Sequence, residues 1–384
     1  MILFLVFFVI ILLSLLNINR KEKFNISYYL ILLTLVILSS IRYRVGGDSL
    51  VYYDKFYENP TFYELFNFNF KEALYNPSWY IFNGISKSIN DSFYTFQFLH
   101  AIVVNVVIFW FIDKYAVKRY AVLPFYFFLY FVYFNMEILR ESLAIAVFLT
   151  ALPAFFNKNW IKYYVLALLA MSFHNSAMVI LVFPLFYLKL GIRYQILIFI
   201  LSCIITSVLV SGNFLFMLGL DKIFGSNSLF YLNKEMNLSG SIFQLLKLVP
   251  VYCIYYVSIK KKLETNFDKF IFPYIIIGIA SAFIPGVYRF MNYFAIPILI
   301  YCVNQLYVFY TRRQINAMSF FKIQLSMLII VFFQVYYLLG DESESTRVMG
   351  ARKFELYIPY YTIFNEQIHE NRERIFYNQF EGNL

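Results

Sequence analysis

The 384 residues are 61% hydrophobic and 22% aromatic, and only 14% are charged, against about 25% in soluble domains. That balance excludes a soluble globular domain and points to an integral membrane protein. The net charge of +10 does not indicate nucleic acid as a partner, because Lys and Arg are scattered through short connections between apolar runs and no glycine-rich nucleotide loop occurs.

In chain order, the first apolar run is Met1 to Leu16. Its basic cluster Arg20, Lys21 and Lys23 follows it, the reverse of a cleavable signal peptide, so it reads as a retained helix. This run and others such as Ile26 to Ile41, Ile242 to Ile259 and Ile271 to Pro285 rise about 1.5 Å per residue, enough to cross most or all of a hydrocarbon core of about 30 Å. They are unlike the alternating strands of about 10 residues that build a membrane β-barrel. The fold class expected is an all-α polytopic integral membrane protein of about 12 transmembrane helices. The spans fall roughly at 1–16, 26–41, 93–112, 120–136, 139–156, 160–173, 175–188, 194–211, 242–259, 270–285, 288–309 and 322–339.

Basic connections alternate with the others along this series, at Arg20–Lys23, Lys114–Arg119, Lys158/Lys162, Lys189/Arg193, Lys260–Lys269 and Arg312–Lys322. The cytoplasmic excess of Lys and Arg puts these inside. The outer face then receives 42–92, 137–142, His174, 212–241, 285–289 and everything from Gly340, along with nearly all the acidic residues. The domain organisation expected is a multi-span membrane catalytic domain, 1–340, with outer loops 42–92 and 212–241, and an outer-face tail, 341–384, whose aromatics suggest that part of it packs on that face. In Pro60–Tyr75, the spacing of Phe62, Leu65, Phe66, Phe70 and Leu74 predicts an interfacial amphipathic helix, and Asn213–Gly240 could form a lid.

Charge at membrane depth is costly, which makes Glu137, Arg140 and Glu141 a candidate site. At helical spacing they share a face, so Arg140 would lie between two carboxylates and grip a phosphate through its planar fork. The alternative is an ion network that closes a helix hairpin. Upstream, in Arg42-Tyr-Arg-Val-Gly-Gly-Asp48, Arg42 and Arg44 point the same way along an extended chain, and Gly46-Gly47 lets backbone N–H groups approach an anion; the alternative is an interfacial turn. His174 joins two apolar runs of about 14 residues, each spanning only about 21 Å, so its turn should be sunk below the surface. An imidazole there suits proton transfer near neutral pH, or else serves as a hydrogen-bonded structural group. Arg289, with Tyr288, Asn292 and Tyr293, follows a Pro285-Gly286 break of the kind tolerated at membrane depth only where it is buried or lines a cavity. No Asp-x-Asp pair or His cluster occurs in the first outer loop, no serine-nucleophile motif is present, and Cys203, Cys253 and Cys302 lie in apolar runs. Neither a metal nor a cofactor is expected.

Four stretches together resemble the EpsG/Wzy-type membrane polysaccharide polymerases of bacteria: Arg42-Tyr-Arg-Val-Gly-Gly-Asp48 with Tyr52/Tyr53, Arg140-Glu-Ser-Leu-Ala144, Phe173-His-Asn-Ser-Ala177 and Tyr288-Arg-Phe-Met-Asn-Tyr-Phe294. The resemblance covers roughly residues 28–310. It departs at Gly47, where that family usually has a residue other than Gly. The resemblance implies a GT-C-like architecture and a glycosyltransferase that joins polyprenyl-diphosphate-linked oligosaccharides on the outer face of the bacterial cytoplasmic membrane, for capsule, O-antigen or exopolysaccharide. Partners would be lipid-linked glycan, membrane lipid and a chain-length regulator protein. Arg42, Arg44, Arg140 and Arg289 are then candidates for the diphosphate, and His174, Glu141 or Asp48 for the base. Glu137, Tyr52, Tyr53, Tyr288 and Asn292 are supporting or sugar-binding candidates, with Trp79 a further ring for stacking. A flippase, an acyltransferase or a glycan ligase are the alternatives.

Overall fold

The computed structural model describes residues 2–17, 25–70, 73–187, 238–312 and 352–374, with single positions 194, 197, 335 and 339. Among these residues the regular structure is helical, and β pairing is confined to isolated bridges. In order the helices are α1 (Ile2–Asn17), α2 (Ile26–Ser40), α3 (Gly47–Glu58), α4 (Pro77–Ile89) and α5 (Phe93–Tyr115). Then come α6 (Arg119–Tyr126) and α7 (Val132–Met136), joined by a π-helical turn, Phe127–Phe131, followed by α8 (Leu139–Phe156), α9 (Trp160–Met171) and a 3₁₀ helix, Asn175–Tyr187. The last four are α10 (Leu238–Lys260), α11 (Asp268–Ser281), the one-turn α12 (Tyr288–Met291) and α13 (Ala295–Thr311).

Four stretches, Phe93–Tyr115, Leu139–Phe156, Gly240–Lys260 and Tyr288–Thr311, are long and apolar enough to cross a membrane. Ile2–Asn17, Ile26–Ser40, Trp160–Met171 and Asn175–Pro184 are shorter apolar helices. The expected spans 194–211 and 322–339 and the lid Asn213–Gly240 fall almost wholly outside the described residues, so the full span count rests on the sequence. The 3₁₀ helix changes one expectation. Its 13 residues rise about 2.0 Å each rather than 1.5 Å, reaching about 26 Å, so the run after His174 is less short than an α-helix of that length would be.

The chain divides into two compact units, one of 1–154, 160–174 and 334–384, the other of 155–159 and 175–333. In the first, α2 packs along α5, tied at both ends. At one end the Tyr28 hydroxyl donates to the Phe109 carbonyl at 2.7 Å, the Ser27 and Tyr120 hydroxyls meet at 2.6 Å, and Arg119 pairs with Asp113. At the other, Gln97 Nε2 donates to the carbonyls of Ser40 and Arg42, both at 3.1 Å. The basic Lys114–Arg119 connection and Arg42 therefore lie at opposite ends of α5, as the charge alternation requires. Between them Asn105 Nδ2 donates to Asn135 Oδ1 at 2.7 Å and the Tyr126 hydroxyl donates to Asn105 Oδ1 at 3.0 Å, all three residues fully buried. Where no water competes, such groups must satisfy one another. The second unit has an aromatic core, with Phe183 tilted 4.8 Å from Phe294 and Phe155 stacked 5.4 Å from Phe270, and Gly278 admits the Leu248 side chain so closely that a Cβ would lie 2.4 Å from it.

The first outer loop folds differently from the expectation. Instead of an amphipathic helix over Pro60–Tyr75 there is a single 3₁₀ turn, Glu64–Asn67, because Asn59-Pro60, Asn67 and Asn69 favour turns. The regular structure lies on either side. α3 starts with Asp48 in its first turn, complementing the helix dipole, and α4 starts on Pro77, whose missing N–H costs nothing there. α4 buries Trp79, Tyr80, Asn83 and Ser86 on one face.

Candidate functional site

The geometry begins at the first residues of α3. Glu137 Oε1 accepts from the Gly47 N–H at 2.7 Å and Oε2 from the Asp48 N–H at 3.3 Å. A helix N-terminus carries unsatisfied N–H groups and a partial positive charge, so a carboxylate is the natural occupant. The anion cradle expected at Gly46-Gly47 thus exists, and the anion it holds is the chain's own. Gly46 makes the approach possible: its φ is +97°, and a Cβ would stand 2.2 Å from the Met136 carbonyl oxygen. Gly47 has no left-handed φ, and a Cβ there would meet only the Glu137 carboxyl, at 3.2 Å.

To reach α3, Glu137 has left the helix. The chain breaks at 137–138 between α7 and α8, so Glu137 and Arg140 do not share a helix face and the expected clasp of Arg140 by two carboxylates on one face is corrected. Glu141 is on α8 and 1% exposed. Burial is the main cause that pushes the Glu137 carboxyl up from 4.5 to about 7, with the Asp48 carboxylate adding to it and the two backbone N–H groups and the Tyr357 hydroxyl opposing it.

Arg42 and Arg44 do not form an open fork. Arg42 is fully buried; its Nη1 donates to the Ser39 carbonyl, while Nε and Nη2 make no hydrogen bond among the described residues. Burial lowers its pKa to about 10, and the charges of Tyr360 and Glu137 favour the cation. Arg44 adopts a left-handed φ of +48° and forms a bidentate pair with Glu373, Nε to Oε1 at 2.7 Å and Nη2 to Oε2 at 2.6 Å. Tyr53 lies beside it, 5.5 Å from ring centre to guanidinium carbon.

The tail supplies that partner and more. The N–H groups of Tyr43 and Gly46 donate to the carbonyls of Tyr361 and Leu356 at 2.9 and 2.8 Å, and that of Ile363 to Ile41 at 2.9 Å. The Tyr360 hydroxyl donates to the Leu38 carbonyl. Arg372, fully buried, donates to the carbonyls of Glu355, Arg44 and Pro359 at 3.0, 2.9 and 2.6 Å. Residues 352–373 are thus stitched onto the loop that holds Arg42 and Arg44. Sequence reasoning missed Tyr357, Arg372 and Glu373; a charged, aromatic segment after the last apolar run was the only signal.

Arg140 is half-exposed. It stands on the first turn of α8, its guanidinium carbon 4.2 Å from the Tyr75 ring centre and 5.9 Å from that of Tyr52, whose hydroxyl is 3.5 Å from Nε. Such stacking holds an arginine without neutralising it. Asp48 lies one turn before Tyr52 on α3, half-exposed and close enough to act electrostatically on Tyr52, Tyr75 and Glu137. His100, missed as a residue of an apolar run, fixes α8 through Nε2, which is 3.1 Å from the Leu139 carbonyl and 2.9 Å from Ser142 Oγ. The turn that carries His174 is stapled next to Tyr75: Asn76 Nδ2 donates to the Met171 carbonyl at 3.0 Å, the Ser78 N–H to the Ser172 carbonyl at 2.9 Å, and the Ser78 and Ser172 hydroxyls meet at 2.6 Å. Tyr52 and Trp79 are 6% and 1% exposed, so they wall this site rather than offer faces to sugar.

Arg289 belongs to the second unit, half-exposed on α12 with Tyr288 and Asn292 half-exposed beside it. There the third and fourth motifs touch, Ser176 Oγ lying 3.0 Å from the Tyr293 hydroxyl. Among the described residues, no three His, Cys, Asp or Glu side chains gather as a metal site would need.

A family model described as the EpsG family matches residues 25–349, which bears out the resemblance drawn from the four motifs. No curated protein and no solved structure matches the chain.

Gly46→Ala should cost about 3 kcal/mol and remove activity, while Gly47→Ala, whose Cβ would meet the Glu137 carboxylate at 3.2 Å, should cost about 1 kcal/mol or less; thermal melting of the purified protein reads both. Glu137 also sets a pH dependence. Between pH 4.5 and about 7 the folded chain holds a proton that the unfolded chain has released, so this contribution to stability is complete below 4.5 and is lost as pH rises through 7. Melting from pH 5 to 8 should show wild type losing about 1–3 kcal/mol relative to Glu137→Gln; parallel profiles would refute it.

Proposed function

Because the chain belongs to the EpsG family, we propose that it is a polysaccharide polymerase, an inverting and metal-independent glycosyltransferase that joins polyprenyl-diphosphate-linked oligosaccharides. It works at the outer face of the bacterial cytoplasmic membrane, for capsule, O-antigen or exopolysaccharide. The observation that carries the reading is Arg140, a half-exposed cation set against the rings of Tyr75 and Tyr52 at the start of α8, with Asp48 and the His174 turn in the same unit.

In the reaction a hydroxyl of the acceptor sugar attacks the anomeric carbon of the donor. The new C–O bond forms as the bond to the diphosphate breaks, the bonding pair leaves with the diphosphate, and the hydroxyl proton passes to a base. Direct displacement inverts the anomeric centre. Charge grows on the leaving group, so a fixed cation is worth more in the transition state than in the ground state. We assign that role to Arg140. Arg42, sealed, and Arg44, paired, hold the loop instead, while Arg289 keeps its candidacy from the sequence. His174 is the proposed base, with half-exposed Asp48 and buried Glu141 its rivals.

Purified protein given a synthetic lipid-diphosphate oligosaccharide, with chelator present, should make a ladder of longer glycans. Arg140→Ala should lower the rate about 100-fold or more, and His174→Ala should abolish the ladder if the imidazole takes the proton. No ladder from folded protein that still binds the lipid would replace the polymerase with a flippase or a ligase. Orientation is tested separately: in a chain otherwise free of cysteine, Lys55→Cys should react with an impermeant thiol reagent in intact cells and Lys261→Cys should not. Labelling at 261 would move the site to the other face.

A further inference from the structure

Beside Arg140 the first outer loop encloses a cleft of about 240 Å³ lined by Lys55, Glu58, Asn59, Pro60, Phe68, Leu74, Tyr75 and Tyr80. We infer that this cleft is a sugar-binding subsite, taking one ring of the lipid-linked glycan next to the diphosphate; the inference rests on the polymerase reading of the neighbouring site.

The argument is chemical. A pyranose has an apolar C–H face and a rim of hydroxyls, and it carries no charge. The cleft matches both surfaces. Phe68 and Tyr80 lie 4.9 Å apart and Tyr75 and Tyr80 6.2 Å apart, giving a wall of rings for the C–H face. In the same lining Lys55 Nζ and Glu58 Oε2 pair at 2.7 Å on the last turn of α3, presenting a donor and an acceptor side by side with no net charge. The Tyr80 hydroxyl accepts from the Tyr75 N–H at 3.2 Å, which leaves its own proton to donate. A phosphate would find its charge opposed by Glu58, and an acyl chain would strand the Lys55–Glu58 pair without water, so a neutral polyhydroxylated ring suits the lining best.

Position adds a second argument. Tyr75 belongs both to this wall and to the ring pair that holds Arg140. A sugar seated here would lie one aromatic ring away from the guanidinium assigned to the diphosphate. Of the lining rings Tyr80 is itself buried, 5% exposed, and backs the wall, so the half-exposed Phe68 and Tyr75 are the faces offered to a sugar.

The test uses the full chain in detergent and the free oligosaccharide released by mild acid from the lipid-linked pool of the producing cell. Saturation-transfer NMR should show that glycan binding to wild type. Leu74→Trp, which fills the cleft from an exposed position, and Phe68→Ala, which removes a ring, should each weaken binding about 5- to 10-fold and raise KM for the lipid-linked substrate with little change in kcat. Arg140→Ala should keep free-glycan binding while losing the ladder. Equal binding by wild type and both variants, or none by wild type, overturns the subsite. Cleft-dependent glycan binding by a wild type that makes no ladder would establish the subsite and remove the polymerase reading instead.

Discussion

The end of the first unit that carries Arg42 and Arg140 depends on one carboxyl group, that of Glu137, set against the first N–H groups of α3. A buried carboxylate without partners would cost several kcal/mol. Here backbone donors and the Tyr357 hydroxyl offset part of that cost, and burial with the Asp48 charge still raises the carboxyl to about 7. Geometry follows from the same contact. Gly46 must turn left-handed to bring the amides to the carboxyl, the chain must break between α7 and α8 to bring the carboxyl to the amides, and Arg140 then starts the next helix opposite Tyr52.

Three arginines read alike in the sequence, and their surroundings separate them. Arg42 is enclosed and turns toward a carbonyl in the last turn of α2, Arg44 is matched oxygen for nitrogen by Glu373, and Arg140, half-exposed, rests on the rings of Tyr75 and Tyr52. A guanidinium already bound in a bidentate pair offers little to an incoming anion. Motif residues of one chemical type can thus sit in quite different surroundings, one enclosed, one in a bidentate pair and one against aromatic rings.

Much of this was legible in the residues. Apolar runs gave most of the described helices, charge alternation put Arg42 and the Lys114–Arg119 connection at opposite ends, and the four motifs gave the family. Pairing was not legible. Glu137 stands at helical spacing from Arg140, and periodicity carries no sign that its partner lies 90 positions upstream. In the first outer loop, aromatic spacing over 62–74 imitated a helix, whereas the real one began at Pro77 with a buried face that mixes Trp79 with Asn83 and Ser86. The tail was the hardest part, because contacts made through main-chain carbonyls leave almost no pattern in side-chain type.

That tail also bears on how the protein matures. Arg44 and Glu373 are 329 positions apart, and closing a loop of that length costs only about 0.6 kcal/mol more per doubling, so distance is little obstacle once the intervening helices are in place. Order of synthesis is another matter. The loop bearing Arg42 and Arg44 leaves the ribosome long before residues 352–373 exist, and it must wait for them to take its final form. This end of the first unit is therefore completed last, and a chain still being made would carry Arg42 and Arg44 without the frame that holds them.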